Sequence, residues 1–403
     1  MANTRIKLIN GIIITPTGIL RGASLLISGG KIAEIGIRNA DVPNTQVIDV
    51  KGNYISPGFI DIHVHGGGGA DFLEATPEAF IRAAGAHCIH GGTTTIYPTI
   101  AAAPREVFDR AIQACHVAMQ RPSDTLAHVM GLHLEGNYLN PLMCGGQDPA
   151  CLYPPHEDEY RDMLRANHCI RRWSAAPELE GALDFGRYAS SRGVLVSLAH
   201  TVAAGQQVRD AFDAGYRHAT HFYNAMTGVH RENGFKREGT IESIYLADEM
   251  SVELVGDGIH VPPAILRLAY KILGAERIAL VTDAMLAAGS SDTGPIYGGR
   301  VIIEDGVCKL ADRSAIAGSI ITMNEAIRTM VVQAGVPLTD AVRMATETPA
   351  TIMGINHRKG SLLRGRDADV IVFDHSYNVL SVIVEGRLIA NNIPDGDPTS
   401  SDS

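Results

Sequence analysis

The chain has 403 residues, enough for one large catalytic domain and a smaller module, each with its own core. Apolar residues make up 45% of it, aromatic residues only 5%, and 42 glycines are spread along it, a composition that suits a loop-rich α/β enzyme and argues against disorder. A formal net charge of -10 leaves no basic stripe and argues against nucleic acid as a partner, although a small anion can still be held locally. The start, MANTRIKLING, lacks a charged region followed by an apolar run, and no stretch approaches the roughly 18–20 apolar residues that span a bilayer, so no membrane association is expected. Six cysteines show neither a CxxC pair nor zinc-ribbon spacing and read as reduced thiols, which favours the cytoplasm.

The first fifty-odd residues read as short strands, IKLI, GIII, ASLLIS, KIAEI and QVIDV, broken by turn signals such as Ser28-Gly29-Gly30 and Pro43-Asn44. The middle alternates strand-like runs with helical segments, the pattern of repeated βα units. Its runs are GFIDIHVH, TTTIYPT, HVMGLHLE, RRWSAAPE, VLVSLAH, HATHFYN, SVELVGDGIH and IALVTDA, and their count matches a (β/α)8 TIM-like barrel over residues 57–354. Between the first two runs, Thr76 can cap a helix, Pro77 suits its first turn, and Phe80, Ala84 and Cys88 recur every four residues before Gly91-Gly92 ends it. Thr348-Pro349 opens a later short helix closed by Gly354. After Gly360 the strand-only character returns in DADVIVFD, LSVIVEG and RLIA, which predicts a small β-sandwich domain built from both chain termini, residues 1–56 and 355–392. Residues 393–403 hold too little apolar surface to order themselves and read as a flexible tail.

The informative polar residues fall at the ends of these runs. His63 and His65 end the first, Glu135 the third, His200 the fifth, His221 the sixth, His260 the seventh and Asp283 the eighth. In a parallel barrel those ends converge on one face, where such enzymes carry their chemistry. His63 and His65 lie two apart on a strand and therefore point to the same side, so both imidazoles can approach one cation. Imidazole nitrogens with a carboxylate suit a zinc-like or iron-like divalent ion. A lone strand-end histidine is usually an ordinary hydrogen-bonded side chain, and His87 and His133 are read that way. Gly66 to Gly69 lacks phosphate-loop spacing and reads as a flexible loop, and Arg171-Arg172 as a solvated pair before a strand.

The segments PGFIDIHVHGGGG, GLHLEGNYLNP, SAAPEL, ATHFYNAM, GDGIHV, LVTDAM, IAGSIITM and KGSLLRGRDADVIVFD occur in an order that resembles the amidohydrolase superfamily and, within it, the N-acetylglucosamine-6-phosphate deacetylases. That resemblance covers nearly the whole chain. It implies hydrolysis of the acetyl amide of N-acetylglucosamine 6-phosphate, with Glu135, His200 and His221 on a main metal and His63 and His65 on a second position that only some members fill. The implied cofactor is a divalent metal, one or two per subunit, zinc ahead of iron, cobalt or manganese. Asp283 resembles the catalytic acid-base residue and His260 the group that polarises the acetyl carbonyl. Substrate contacts are implied for Gly146, Asn224, Ala225 and the Ile316-Ala317-Gly318 stretch. Arg231 matches a phosphate-binding arginine that the family supplies from the neighbouring subunit of a homodimer, with Lys236 and Arg237 as alternatives because the loop TGVHRENGFKREG is longer than the family pattern. Asn137 and Val202 also depart from that pattern, which leaves the sugar open between N-acetylglucosamine and N-acetylgalactosamine 6-phosphates. A D-aminoacylase is a further alternative, and a dihydroorotase is disfavoured because no lysine occupies the third or fourth strand. An inactive scaffold should have lost ligands or the final aspartate, and this chain has lost none.

Overall fold

The computed structural model describes residues 5–36, 42–121, 126–290 and 299–394. Of the predicted tail, residues 395–403 lie outside the described residues.

Five strands come from the start of the chain: β1 (Arg5–Thr15), β2 (Gly18–Ser28), β3 (Lys31–Gly36), β4 (Thr45–Asp49) and β5 (Tyr54–Pro57). Eight parallel strands then form the barrel among the described residues: β6 (Phe59–Val64), β7 (Thr93–Ala101), β8 (Leu132–Glu135), β9 (Ile170–Ala175), β10 (Leu195–Leu198), β11 (Tyr216–Ala219), β12 (Ser251–Val255) and β13 (Ile278–Val281). They pair in chain order, and β13 returns to β6, where the Thr282 hydroxyl donates to Asp61 (2.6 Å) and the Asp283 N–H to the His63 carbonyl (2.9 Å). All eight predicted runs are present. The strands themselves are shorter than the apolar runs, so His200, His221, His260 and Asp283 stand just past their strand ends, in the loops of the catalytic face.

The first connecting helix, α1 (Pro77–Gly91), follows its sequence signals. The Thr76 hydroxyl accepts from the Ala79 N–H at 3.2 Å, Phe80, Ala84 and Cys88 are buried, and Gly92 ends the helix at φ 72°. The later helix instead spans Glu347–Ile352, so it starts ahead of Thr348-Pro349; Gly354 follows it at φ 70°.

From the end of the chain, β14 (Val370–Phe373), β15 (Val379–Val384) and β16 (Arg387–Asn391) join the N-terminal strands in one eight-stranded sheet, ordered β16-β15-β14-β5-β1-β2-β3 with β4 beside β1. Strand alternation lets this sheet serve two cores. On β14, Val370 and Val372 pack with Ile6, Leu25 and Ile55 in the small domain's own core, while Ile371 and Phe373 pack with Phe59 and Cys88 against the barrel.

On β9, β10 and β12 the same alternation sets polar side chains inward and apolar ones outward around Arg172. Trp173, Val196, Leu198, Val252 and Leu254 face the helices, whereas across the interior Arg172 bonds to Ser197 and Glu253, and Ser174 to Thr220. Arg172 is fully buried and corrects the reading of Arg171-Arg172 as a solvated pair. Its guanidinium pairs with Glu253 and donates to Ser197 (3.1 Å), Thr220 (2.9 Å) and the carbonyl of Ile62 (3.1 Å), so one side chain links strands on several sides of the barrel. Such a cation is tolerated in the interior because a carboxylate and neutral acceptors together satisfy it.

Candidate active site

His63 and Glu135, on β6 and at the end of β8, and His65, His200, His221 and Asp283, just past β6, β10, β11 and β13, meet in one buried cluster. Glu135 sits at its centre. Its Oε1 lies 2.9 Å from His221 Nε2 and 3.4 Å from His200 Nε2, and its Oε2 lies 3.2 Å from His65 Nε2 and 3.6 Å from His63 Nε2. Two overlapping triads result, His63/His65/Glu135 and Glu135/His200/His221, each with ligand atoms within 4.8 Å of one another.

The outer ring nitrogens determine which way the inner ones face. His200 Nδ1 lies 2.6 Å from the Met143 carbonyl and His221 Nδ1 lies 3.1 Å from the Asn224 carbonyl. A carbonyl can only accept, so each Nδ1 carries a hydrogen and each Nε2 is the nitrogen that faces Glu135, where a neutral ring offers its lone pair. His63 Nδ1 likewise donates to Glu253 at 2.5 Å. The inner nitrogens then approach closely, His63 to His65 at 3.2 Å and His200 to His221 at 3.1 Å. Lone pairs facing one another across such gaps repel unless a cation or proton lies between them. This donor set fits a divalent ion of the zinc class.

The electrostatics agree. Burial alone favours neutral forms, yet the attraction of Glu253, Glu135 and Asp283 holds the His63 ring well above its ordinary range, and Asp283 and Glu135 raise His65 to about 9. Against the same burial, His63 and its neighbours hold Glu135 well below the usual carboxylate range and Asp283 below it. The cluster is built to hold positive charge, which bound metal supplies in exchange for protons.

Asp283 Oδ1 lies 3.3 Å from His65 Nε2 and 3.5 Å from His63 Nε2, and its Oδ2 lies 4.0 Å from His260 Nε2. The His260 Nδ1 is fixed by Asp257 at 2.6 Å, which overcomes burial and raises its affinity for a proton. His200, His221, Ala225 and Asp283 take φ of 45°, 28°, 49° and 48°, a left-handed backbone that costs non-glycine residues energy and here clusters at the strand ends that carry the chemistry.

A cavity of about 520 Å³ opens over the cluster, and its wall contains Gly146, Asn224, Ala225, His260, Ile316 and Ala317 of the expected substrate contacts. At Gly146 a Cβ would stand 2.9 Å from the Cα of Ala317, so only glycine lets these two walls meet. Gly318 stands behind the wall against Met285 and the Asp283 carbonyl. Arg231, Lys236 and Arg237 lie on an exposed hairpin, where His230–Glu232 pairs with Phe235–Arg237. Gly66 to Gly69, read as a flexible loop, is instead tied down: Gly66, Gly68 and Gly69 donate to the carbonyls of Ala284, Ala288 and Leu286 at 2.8–2.9 Å.

The amidohydrolase family's sequence model matches residues 176–389. The N-acetylgalactosamine-6-phosphate deacetylase of Escherichia coli O157:H7 is 35% identical over 385 residues, covering 92% of this chain and 99% of that protein. The chain belongs to the amidohydrolase family. The N-acetylglucosamine-6-phosphate deacetylase of Bacillus subtilis (strain 168) is 29% identical over 379 residues, covering 93% of this chain and 95% of that protein. A solved structure of a mutant N-acetyl-D-glucosamine-6-phosphate deacetylase from Mycobacterium smegmatis, in complex with N-acetyl-D-glucosamine-6-phosphate, superposes with a TM-score of 0.87 at 31% identity, covering 97% of this chain and 100% of that chain. Membership makes this chain a metal-dependent hydrolase and agrees with the donor set.

Four residues that support the cluster were missed in the sequence: Glu253, Arg172, Asp257 and Gln147. Glu253 binds His63 through its side chain and also accepts the His221 N–H at 2.7 Å, so it braces both triads. Its signal was the charge in SVELV at the position that alternation turns inward.

Proposed function

We propose that the chain hydrolyses the acetyl amide of N-acetylglucosamine 6-phosphate to glucosamine 6-phosphate and acetate. The observation that carries this reading is Asp283, placed beside the Glu135-centred cluster and 4.0 Å from His260 at the floor of the cavity. Glu135, His200 and His221 would hold the main ion, and His63 and His65 a second. Such an ion, zinc by its donor set, would when bound lower the pKa of a water to about 7 and polarise the acetyl carbonyl. Asp283 accepts the proton of the attacking water and passes it to the departing amine nitrogen. His260, held by Asp257, donates to the oxygen on which negative charge develops. Gly146, Asn224, Ala225 and the Ile316-Ala317-Gly318 stretch position the sugar.

Arg231 lies on a hairpin strand whose every residue is exposed, which leaves it free to reach the cavity of a partner subunit in a homodimer whose two sites are each completed by the other. Six free thiols fit a reducing compartment, which we take to be the cytoplasm, and among the described residues no helix is long and apolar enough to cross a membrane.

A second substrate, N-acetylgalactosamine 6-phosphate, is favoured by the 35% identity to the Escherichia coli relative. Acetate release measured over both N-acetylhexosamine 6-phosphates and their unphosphorylated forms decides. The phosphate's charge-assisted hydrogen bonds should raise kcat/KM by roughly a hundredfold or more. Equal rates with and without phosphate would overturn the phosphosugar assignment.

A further inference from the structure

Gln147 touches the cluster from the loop after β8, and the described mechanism does not use it. Its side chain is nearly buried, at 8% exposure. The Ala102 N–H donates to Gln147 Oε1 at 2.7 Å, and Gln147 Nε2 donates to Glu135 Oε2 at 2.8 Å. These partners fix the orientation of the amide, because a backbone N–H needs the oxygen and a carboxylate needs the nitrogen.

The donor falls on one carboxylate oxygen only. Glu135 Oε2 is the oxygen that faces His65 and His63, at 3.2 and 3.6 Å, while Oε1 faces His221 and His200. A hydrogen bond into Oε2 occupies one of its lone-pair directions and draws electron density from it. The same bond holds the carboxylate so that Oε1 stays directed at His200 and His221. One interaction therefore strengthens one triad and weakens the other.

We infer that Gln147 sets the metal number of the site, favouring a single ion on Glu135, His200 and His221 over a second on His63, His65 and Glu135. This rests on the proposed assignment of the main ion to the first of those triads. Gln147 is a positioning residue, and its signature is that the two affinities move in opposite directions when it is replaced; a merely structural support would lower both.

The test is a zinc titration of the metal-free protein against a competing chelator, with bound zinc counted by elemental analysis. Wild type should take one zinc tightly and a second at least about tenfold more weakly. Gln147→Met keeps the length and loses the donor: the first ion should weaken and the second tighten, closing the gap by about tenfold or more. Gln147→Glu keeps the acceptor for Ala102 and sets a carboxylate oxygen beside Glu135 Oε2, so the second ion should tighten further; this variant carries the test if the methionine fails to fold. Parallel weakening of both ions, or no change in either variant, would overturn the inference. His200→Ala separates the underlying assignment: if that variant keeps the first ion, the assignment of the triads is wrong whatever Gln147 does.

Discussion

Replacing Arg172 and Glu253 singly and together tests the buried network that underlies the site. Both side chains are fully buried, and they pair with each other at the centre of the barrel. Arg172→Met leaves the Glu253 carboxylate with His63 and the His221 N–H; Glu253→Gln leaves the guanidinium with Ser197, Thr220 and the Ile62 carbonyl. Either single change removes one partner of a fully buried ion pair and should cost about 3–5 kcal/mol. The double variant removes both partners together and leaves neither without the other, so it should cost less than the sum of the singles, which independent effects would bring to about 6–10 kcal/mol. Urea unfolding of the metal-free protein reads this through Trp173, the single tryptophan, which is buried on β9 and stacked on Tyr138 at 5.3 Å. A double variant as unstable as the sum of the singles would show that the pair is not coupled and that Glu253 is not what makes Arg172 tolerable in the interior.

Three further outcomes follow from the site and its surroundings. Glu135→Ala, His200→Ala and His221→Ala should each remove the main ion, while the double change at His63 and His65 removes at most a second; complete metal loss in the latter, by elemental analysis, would reverse the hierarchy. Co-refolding equal amounts of Arg231→Ala and Asp283→Asn should restore about a quarter of all sites through mixed dimers, so the mixture should exceed the mean of its parents at low substrate; activity no higher than that mean, with mixed dimers present, would place Arg231 outside the partner's site. Burial pushes the His87 ring down to about 4 from 6.5. Above pH 6.5 the ring is neutral folded or unfolded, and as pH falls toward 4 only the unfolded chain takes up its proton, so about 3 kcal/mol of stability is lost across that window. His87→Gln should flatten that part of the stability profile, and an unchanged slope would assign the acid sensitivity to other groups.

The barrel and the residues around its mouth were legible because six of the eight runs carry a histidine, glutamate or aspartate of the site at or just past their ends. His63 and His65 declared a shared face through their spacing, and Thr76, Pro77 and Gly92 bounded a helix through local backbone chemistry. Arg172 and Glu253 were not legible in the same way: a charge within an apolar run reads as exposed until the inward face of each strand is known, and only WSA, LVS and VEL in β9, β10 and β12 hint that the polar residues share it. Gln147 and Asp257 sit in loops whose path follows no periodicity. The Gly66 to Gly69 run looked mobile because glycine usually marks freedom, whereas here the small residues allow close approach: a Cβ on Gly66 would stand 2.4 Å from the Ala70 carbonyl oxygen. That a small β domain draws on both chain ends was readable from composition, but its single eight-stranded sheet and the two-faced packing on β14 depend on pairing and register.

The most direct measurement compares acetate release with metal content in Asp283→Asn. The amide matches the carboxylate in shape and cannot take up the proton of the attacking water, so zinc should remain near the wild-type amount while deacetylation of N-acetylglucosamine 6-phosphate is abolished. A variant that holds its metal and retains even about a tenth of the wild-type kcat would contradict the account and assign the base elsewhere.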